Sequence, residues 1–191
     1  MNIKEQKIIN GIKYLVKHTN NVGRTKLFKL LFFWDFIHFK RFGMAVTGYD
    51  YYTYPFGPVP KELYDQITKE NLPVEFKNEF IIIEDCEDDD DNKFKKFKVV
   101  SRNTKIDLDW LSPNEKNVLE EVALIFKYAS AKEMTEITHL HNSPWDKTIK
   151  EKGEFQKIDY FLAVDDETTL DMDTIKERYY IQKDLLKDGR L

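Results

Sequence analysis

Cysteine is almost missing from this chain: Cys86 stands alone among 191 residues. A disulfide framework and a thiolate zinc site are therefore both excluded. No long apolar run is present either. The most hydrophobic stretch, Leu27 to Phe42, is interrupted by Lys29, Asp35 and His38. It falls short of the roughly 20 apolar residues that cross a bilayer. The opening Met-Asn-Ile-Lys-Glu-Gln-Lys lacks an apolar core and a small-residue cleavage pattern, so no signal peptide is expected there. Excess positive charge is lacking as well. The formal net charge is -4, a poor basis for general nucleic-acid binding. Repeats are absent, and so are a glycine-rich phosphate loop, a nucleophile motif and a paired-carboxylate pattern. A reducing, cytoplasmic protein without a cofactor is the expectation.

What is present is apolar and aromatic. Hydrophobic residues make up 41% and aromatics 14%, enough for a proper core in one domain spanning residues 1–191. Charge is uneven. From Met1 to Arg41 nine basic residues face two acids, Glu5 and Asp35, whereas seven of the eight residues from Glu84 to Asp91 are acidic. A positive end and a negative loop are expected from this distribution.

Ile8, Ile9, Ile12, Leu15 and Val16 recur at helical spacing, which predicts an amphipathic helix over Ile3 to Lys17. A turn with Gly23 follows, and Thr25 is positioned to cap a second helix over Lys26 to Arg41. Eleven of the 16 residues from Leu27 to Phe42 are apolar and cover two faces, so this helix belongs in the middle of the domain. Gly43 is its predicted stop. Tyr49 to Pro60 packs four tyrosines, Phe56, Gly57 and three prolines together. Too rigid and too aromatic for a linker, it reads as a fixed, bent platform. A short helix over Pro60 to Lys69 ends at Asn71-Leu-Pro73.

Glu79 to Asp85 and Lys93 to Val100 read as an antiparallel hairpin whose tip is the acidic run, with a bulge explaining an imperfect alternation. Ser112-Pro-Asn-Glu115 and Ser130-Ala-Lys-Glu133 are capping boxes that open two helices. The second is expected to end before Asn142-Ser-Pro144. A last helix runs from about Asp173 to Leu186.

Several residues invite chemistry. His139 and His141 suggest a metal, but residues two apart on a helix do not share a face. Asp35 and His38 lie one turn apart in the aromatic helix. A buried carboxylate needs a partner, here His38, Lys29 or a platform tyrosine hydroxyl. A metal-dependent hydrolase using His38, Asp35 and His139 is thus one alternative reading. Asp88, Asp89, Asp90 and Asp91 read as a solvated tip that discourages edge pairing, or as a docking element for a basic partner. Tyr51, Tyr54 and Phe56 either close the core or anchor a partner. A helix-turn-helix is outlined around Gly23, but its second helix is too apolar to lie in a groove.

Lys26-Leu-Phe-Lys29-Leu30-Leu31-Phe-Phe33, His38, Phe42-Gly43 and Tyr54-x-x-Gly57-Pro58-Val59 form an ordered set with Leu111-Ser112-x-x-Glu115, Ser130-Ala131-x-Glu133-Met134, Thr138-His139 and Ser143-Pro144-Trp145. The set resembles the Panacea domain of SocA-like antitoxins from bacteria and their phages, over about residues 26–145. Residues 146–191 would then be a C-terminal extension. The resemblance implies a mainly helical fold with a small antiparallel sheet, which agrees with the expected α+β domain of six to seven helices and one small hairpin. It also implies a non-enzymatic protein that neutralises a toxin by direct binding. One relative of that family instead acts as an adaptor delivering its toxin to a cytosolic protease. Asp35, Phe36 and the long acidic tip depart from the commoner pattern.

Overall fold

The computed structural model describes residues 2–68, 71–85, 96–102 and 105–187. Eight α-helices and two separate two-stranded antiparallel sheets make up the described fold, an α+β arrangement that is mainly helical. The helices are α1 (Ile3–His18), α2 (Arg24–Phe42), α3 (Lys61–Thr68), α4 (Val74–Glu79), α5 (Pro113–Ile125), α6 (Ala131–Thr138), α7 (Pro144–Lys152) and α8 (Met172–Lys187). The strands are β1 (Tyr51–Tyr54), β2 (Gly57–Pro60), β3 (Phe80–Asp85) and β4 (Lys96–Ser101). Two 3-10 turns, Leu108–Trp110 and Tyr160–Ala163, complete it.

Helix α2 is the axis of the fold. Leu30, Leu31, Trp34 and Phe39 have no exposed surface, and Leu27, Phe28, Phe32 and Phe36 have almost none. Burial of each such side chain is worth roughly 1.5–3 kcal/mol. Helices α1, α5 and α6 and strand β2 pack around it. The close approach of α1 depends on Gly11: a Cβ there would fall 2.4 Å from the Trp34 ring. Trp34 in turn donates its indole N–H to the Glu115 carbonyl at 3.0 Å, fixing the first turn of α5. Gly43 ends α2 at φ 72° with its N–H on the Phe39 carbonyl, as its sequence position predicts. The predicted cap is not at Thr25. The helix begins two residues earlier than expected, at Arg24, behind the extended Gly23 and without a side-chain cap.

The expected positive end is largely consumed by internal contacts. Lys26 donates to the Asn20 and Ala129 carbonyls at 2.7 and 2.6 Å, and Lys13 meets Glu79. Lys7 pairs with Glu115, Lys40 with Asp165 and Glu167, and Arg41 with Glu121.

The Tyr49–Pro60 platform is a hairpin despite its prolines. Tyr51 faces Pro60 and Thr53 faces Pro58. The backbone groups of Tyr51 and Thr53 point the other way, to Ile158 N–H at 2.8 Å and to Gln156 O at 2.9 Å. Pro58 and Pro60 therefore occupy pairs that exchange no hydrogen bonds, and their missing N–H groups cost the ladder nothing. Residues 155–158 thus run along the free side of β1, with a bridge between Tyr52 and Lys157.

Strands β3 and β4 form the second predicted hairpin. Their register runs unbroken from Phe80–Ser101 to Asp85–Lys96, so the described pairs contain no bulge. The acidic residues Asp88 to Asp91 lie outside the described residues. Ser112 and Ser130 make the predicted capping boxes with Glu115 and Glu133. Asn142-Ser-Pro144 does more than stop α6. Ser143 caps a further helix, α7, by accepting from Asp146 N–H at 3.1 Å, with Pro144 in its first turn.

Helix α8 docks through the fully buried Ile175, an Arg178 bond to the Phe42 carbonyl at 3.1 Å, and a two-bond clasp between Gln182 and the Ala45 backbone.

Candidate functional site: a hairpin knuckle mounted on α2

The β1–β2 hairpin is anchored at its base by Asp35. This carboxylate is completely buried. It accepts from the N–H groups of Val46 and Thr47 at 2.8 and 2.7 Å, from the Thr47 hydroxyl and from the Tyr51 hydroxyl at 2.8 Å, while the Tyr160 hydroxyl, 3.3 Å away, donates at 2.8 Å to the Tyr49 carbonyl. Burial pushes its pKa up, while the donations from Thr47, Tyr51 and Val46 pull the other way. Burial and the neighbouring Asp35 hold the Tyr51 and Tyr160 hydroxyls well above the usual phenol range, so both remain donors.

Of the partners expected for Asp35, the platform tyrosine is the one found. His38 turns instead to the Met44 carbonyl, 2.7 Å from its Nδ1. Tyr51 has no exposed surface, so its ring belongs to the core and offers nothing to a partner. Asp35, His38 and His139 each have separate surroundings. Among the described residues no group of three or more His, Cys, Asp or Glu is placed to hold a metal ion.

The tip of the same hairpin is built differently. Pro55 and Phe56 form a two-residue turn between Tyr54 and Gly57. Gly57 has φ 105°, and a Cβ there would lie 2.8 Å from both Lys29 Nζ and Thr138 Oγ1. Only glycine fits, by conformation and by space. Lys29, with 1% of its surface exposed, rises from α2 beneath the turn and donates to the Phe56 carbonyl. Burial drives its pKa down to about 8. The Thr135 hydroxyl of α6 lies 3.4 Å from the same carbonyl while donating to the Ala131 carbonyl at 2.9 Å. Trp145 of α7 donates its indole N–H to the Tyr54 carbonyl at 3.2 Å and stacks on His139 with ring centres 3.7 Å apart. Burial, with Lys29 nearby, lowers the His139 pKa, so this ring is neutral at pH 7.

Phe56 itself is 59% exposed and Phe155 56% exposed. Phe155 holds φ 57°, a left-handed conformation that costs a non-glycine residue about 1 kcal/mol or more. Its N–H bond to the Thr53 carbonyl at 2.6 Å supports this conformation, and its ring stands edge-on to Tyr54 at 5.0 Å. Phe155 thus adjoins the partly buried Tyr54, and Phe56 is exposed in the turn two residues further on, on a backbone tied to α2, α6 and α7.

Sequence reasoning singled out most of this cluster without assembling it. Lys29, Gly57, Thr138, His139 and Trp145 converge within contact distance around the tip. Pro58 and Val59 continue it into the buried strand, and Pro144 opens the helix that carries Trp145. Leu30 and Leu31 are core residues, and His38 lies elsewhere on α2. Phe155 was missed. Its only sequence signal is an apolar residue two positions after a helix-ending glycine, Gly153.

A family model described as antitoxin SocA-like, Panacea domain, matches residues 27–146. That span is well over half of the chain. The chain belongs to the SocA-like antitoxin family. No curated protein and no solved structure matches it. The Panacea segment contains the hairpin, Lys29 and α6 and ends one residue after Trp145, whereas Phe155, Tyr160 and α8 come from beyond it. No helix among the described residues is long and apolar enough to cross a membrane.

Proposed function

We propose that this chain is a cytoplasmic antitoxin that neutralises one protein toxin by binding it directly, and that the toxin seats on the hairpin tip. Family membership supports a toxin as the partner class. The observation that carries the choice of surface is the convergence of Lys29, Gly57, Thr138, His139 and Trp145 beneath the turn that exposes Phe56, with the exposed Phe155 against Tyr54 at its flank. Phenylalanine rings on a locked backbone lose little entropy on binding, which is what an interface anchor needs. In this reading the base of the hairpin is structural and the tip makes contact. Asp88 to Asp91 contribute a charge-guided approach that mainly speeds association.

The test is co-expression with the toxic product of a neighbouring gene. Growth returns with the wild-type chain, fails with Phe56→Ala/Phe155→Ala, and the toxin remains at full level in rescued cells. Toxin that disappears, and persists once the cytosolic protease is deleted, would replace occlusion by delivery to that protease. Growth arrest that persists against every neighbouring product would overturn the antitoxin reading.

A further inference from the structure

A groove of about 530 Å³ lies between α3 and α8 and shares no residue with the hairpin tip. Five lysines face it: Lys4 from α1, Lys61 from α3, Lys157 beside β1, and Lys183 and Lys187 from α8. Three carboxylates, Asp50, Glu62 and Asp65, share its lining. Five cations against three anions leave a surplus of two positive charges, on a chain whose formal net charge is -4.

Pairing narrows that surplus to Lys4 and Lys183, which face Glu62 as the one lining carboxylate without an ion pair among the described residues. Asp50 is engaged by Lys157 at 2.6 Å and Asp65 by Lys61 at 2.7 Å. Lys187 reaches Asp184, one turn back on its own helix, at 3.5 Å. Lys4 and Lys183 lie instead over the rings of Tyr49 and Tyr179, at 5.7 and 5.8 Å, and neither has a carboxylate within ion-pair distance among the described residues. Like charges collected around one concavity repel each other and raise the local concentration of anions. Lysine supplies compact point charges, which suit phosphate oxygens. The volume fits a small molecule.

We propose that this groove binds a small molecule carrying two or more phosphates, held chiefly by Lys4 and Lys183, with Lys187 and Lys61 at its edge. Lys183 and Lys187 belong to α8 and Lys4 to α1, all outside the family-matched segment, while Lys61 of α3 lies inside it. A bound polyphosphate therefore bridges α8 to the body of the protein. Its arrival slows amide exchange in α8 and leaves the hairpin tip unchanged.

The experiment is calorimetric titration of the full chain with tripolyphosphate and, separately, with ATP, joined to hydrogen exchange of α8. Saturable one-to-one binding that weakens as salt rises is the expected result. Lys4→Gln/Lys183→Gln lowers affinity by about ten-fold or more, while Lys132→Gln on the exposed face of α6 leaves it unchanged. Equal affinity for the two ligands assigns recognition to the phosphates alone, and tighter ATP binding assigns a nucleotide. Absence of saturable binding by both ligands at millimolar concentration overturns the proposal. So does an equal loss from Lys132→Gln, or binding without added protection of α8.

Discussion

A charged residue of α2 holds each end of the β1–β2 hairpin, and the two ends are held in opposite ways. At the base, Asp35 gathers four donors from three residues, with the Tyr160 hydroxyl alongside, and has no exposed surface. At the tip, Lys29 supports a single carbonyl, and the neighbouring Phe56 is mostly in solvent. The two residues are six positions apart, about 9 Å along the helix. One rigid rod therefore sets both the buried foundation and the exposed knuckle. A saturated polar knot specifies where the chain turns after α2. A tip whose backbone is tied to α2, α6 and α7 leaves aromatic surface for contact without costing core.

The sharpest way to break this comparison is to remove the base. Asp35→Ala leaves the buried Val46 and Thr47 N–H groups and the Tyr51 hydroxyl without that acceptor. It is expected to cost about 3–5 kcal/mol in urea unfolding. A loss below 1 kcal/mol would mean that the knot is dispensable.

Trp145→Ala comes next. Its ring is only partly buried, so a loss of about 2–3 kcal/mol is expected, below that of a fully buried aromatic such as Phe32. Gly57→Ala follows, at about 1–3 kcal/mol, because the new methyl meets Lys29 and Thr138 at a positive φ. Thermal melts of the three variants give the ranking.

The smallest effect on this scale is a pH dependence. The Lys29 pKa is lowered from 10.5 to about 8 by burial, so above pH 8 the unfolded chain holds a proton that the folded chain has released. Stability from this group therefore rises with pH, by about 1 kcal/mol between pH 8 and 9, and its charge weighs against folding below pH 8. Denaturant unfolding of the wild type against Lys29→Met checks this, with the rise expected only in the wild type. The comparison belongs below pH 10, where the buried Tyr51 and Tyr160 hydroxyls do not yet intervene.

The parts of this architecture that are legible in sequence are those set by local chemistry. Eleven apolar residues in 16 place α2 at the centre, Gly43 ends it, and Ser112 and Ser130 mark the starts of α5 and α6. What escapes is decided by long-range pairing. Three prolines argue against a strand until it is known that residues 155–158, a hundred positions away, take the other side of β1. Ser143-Pro144 reads as a terminator, although the same Ser-Pro pair at 112–113 is correctly read as a start. The partners of Lys26 and Lys29 escape as well, because their acceptors are backbone carbonyls, which no side-chain pattern announces. The knot around Asp35 was half visible. A tyrosine partner follows from burial, but Thr47 and Tyr160 follow only from the fold.

The division into structural base and contacting tip is tested most directly by the affinity of Phe56→Ala/Phe155→Ala for a toxin that the wild-type chain rescues. The expected result is a melt within about 0.5 kcal/mol of the wild type and a loss of binding of about 30-fold or more. Unchanged affinity in a fully folded double variant would contradict the account, because the toxin would then be seated somewhere other than the hairpin tip.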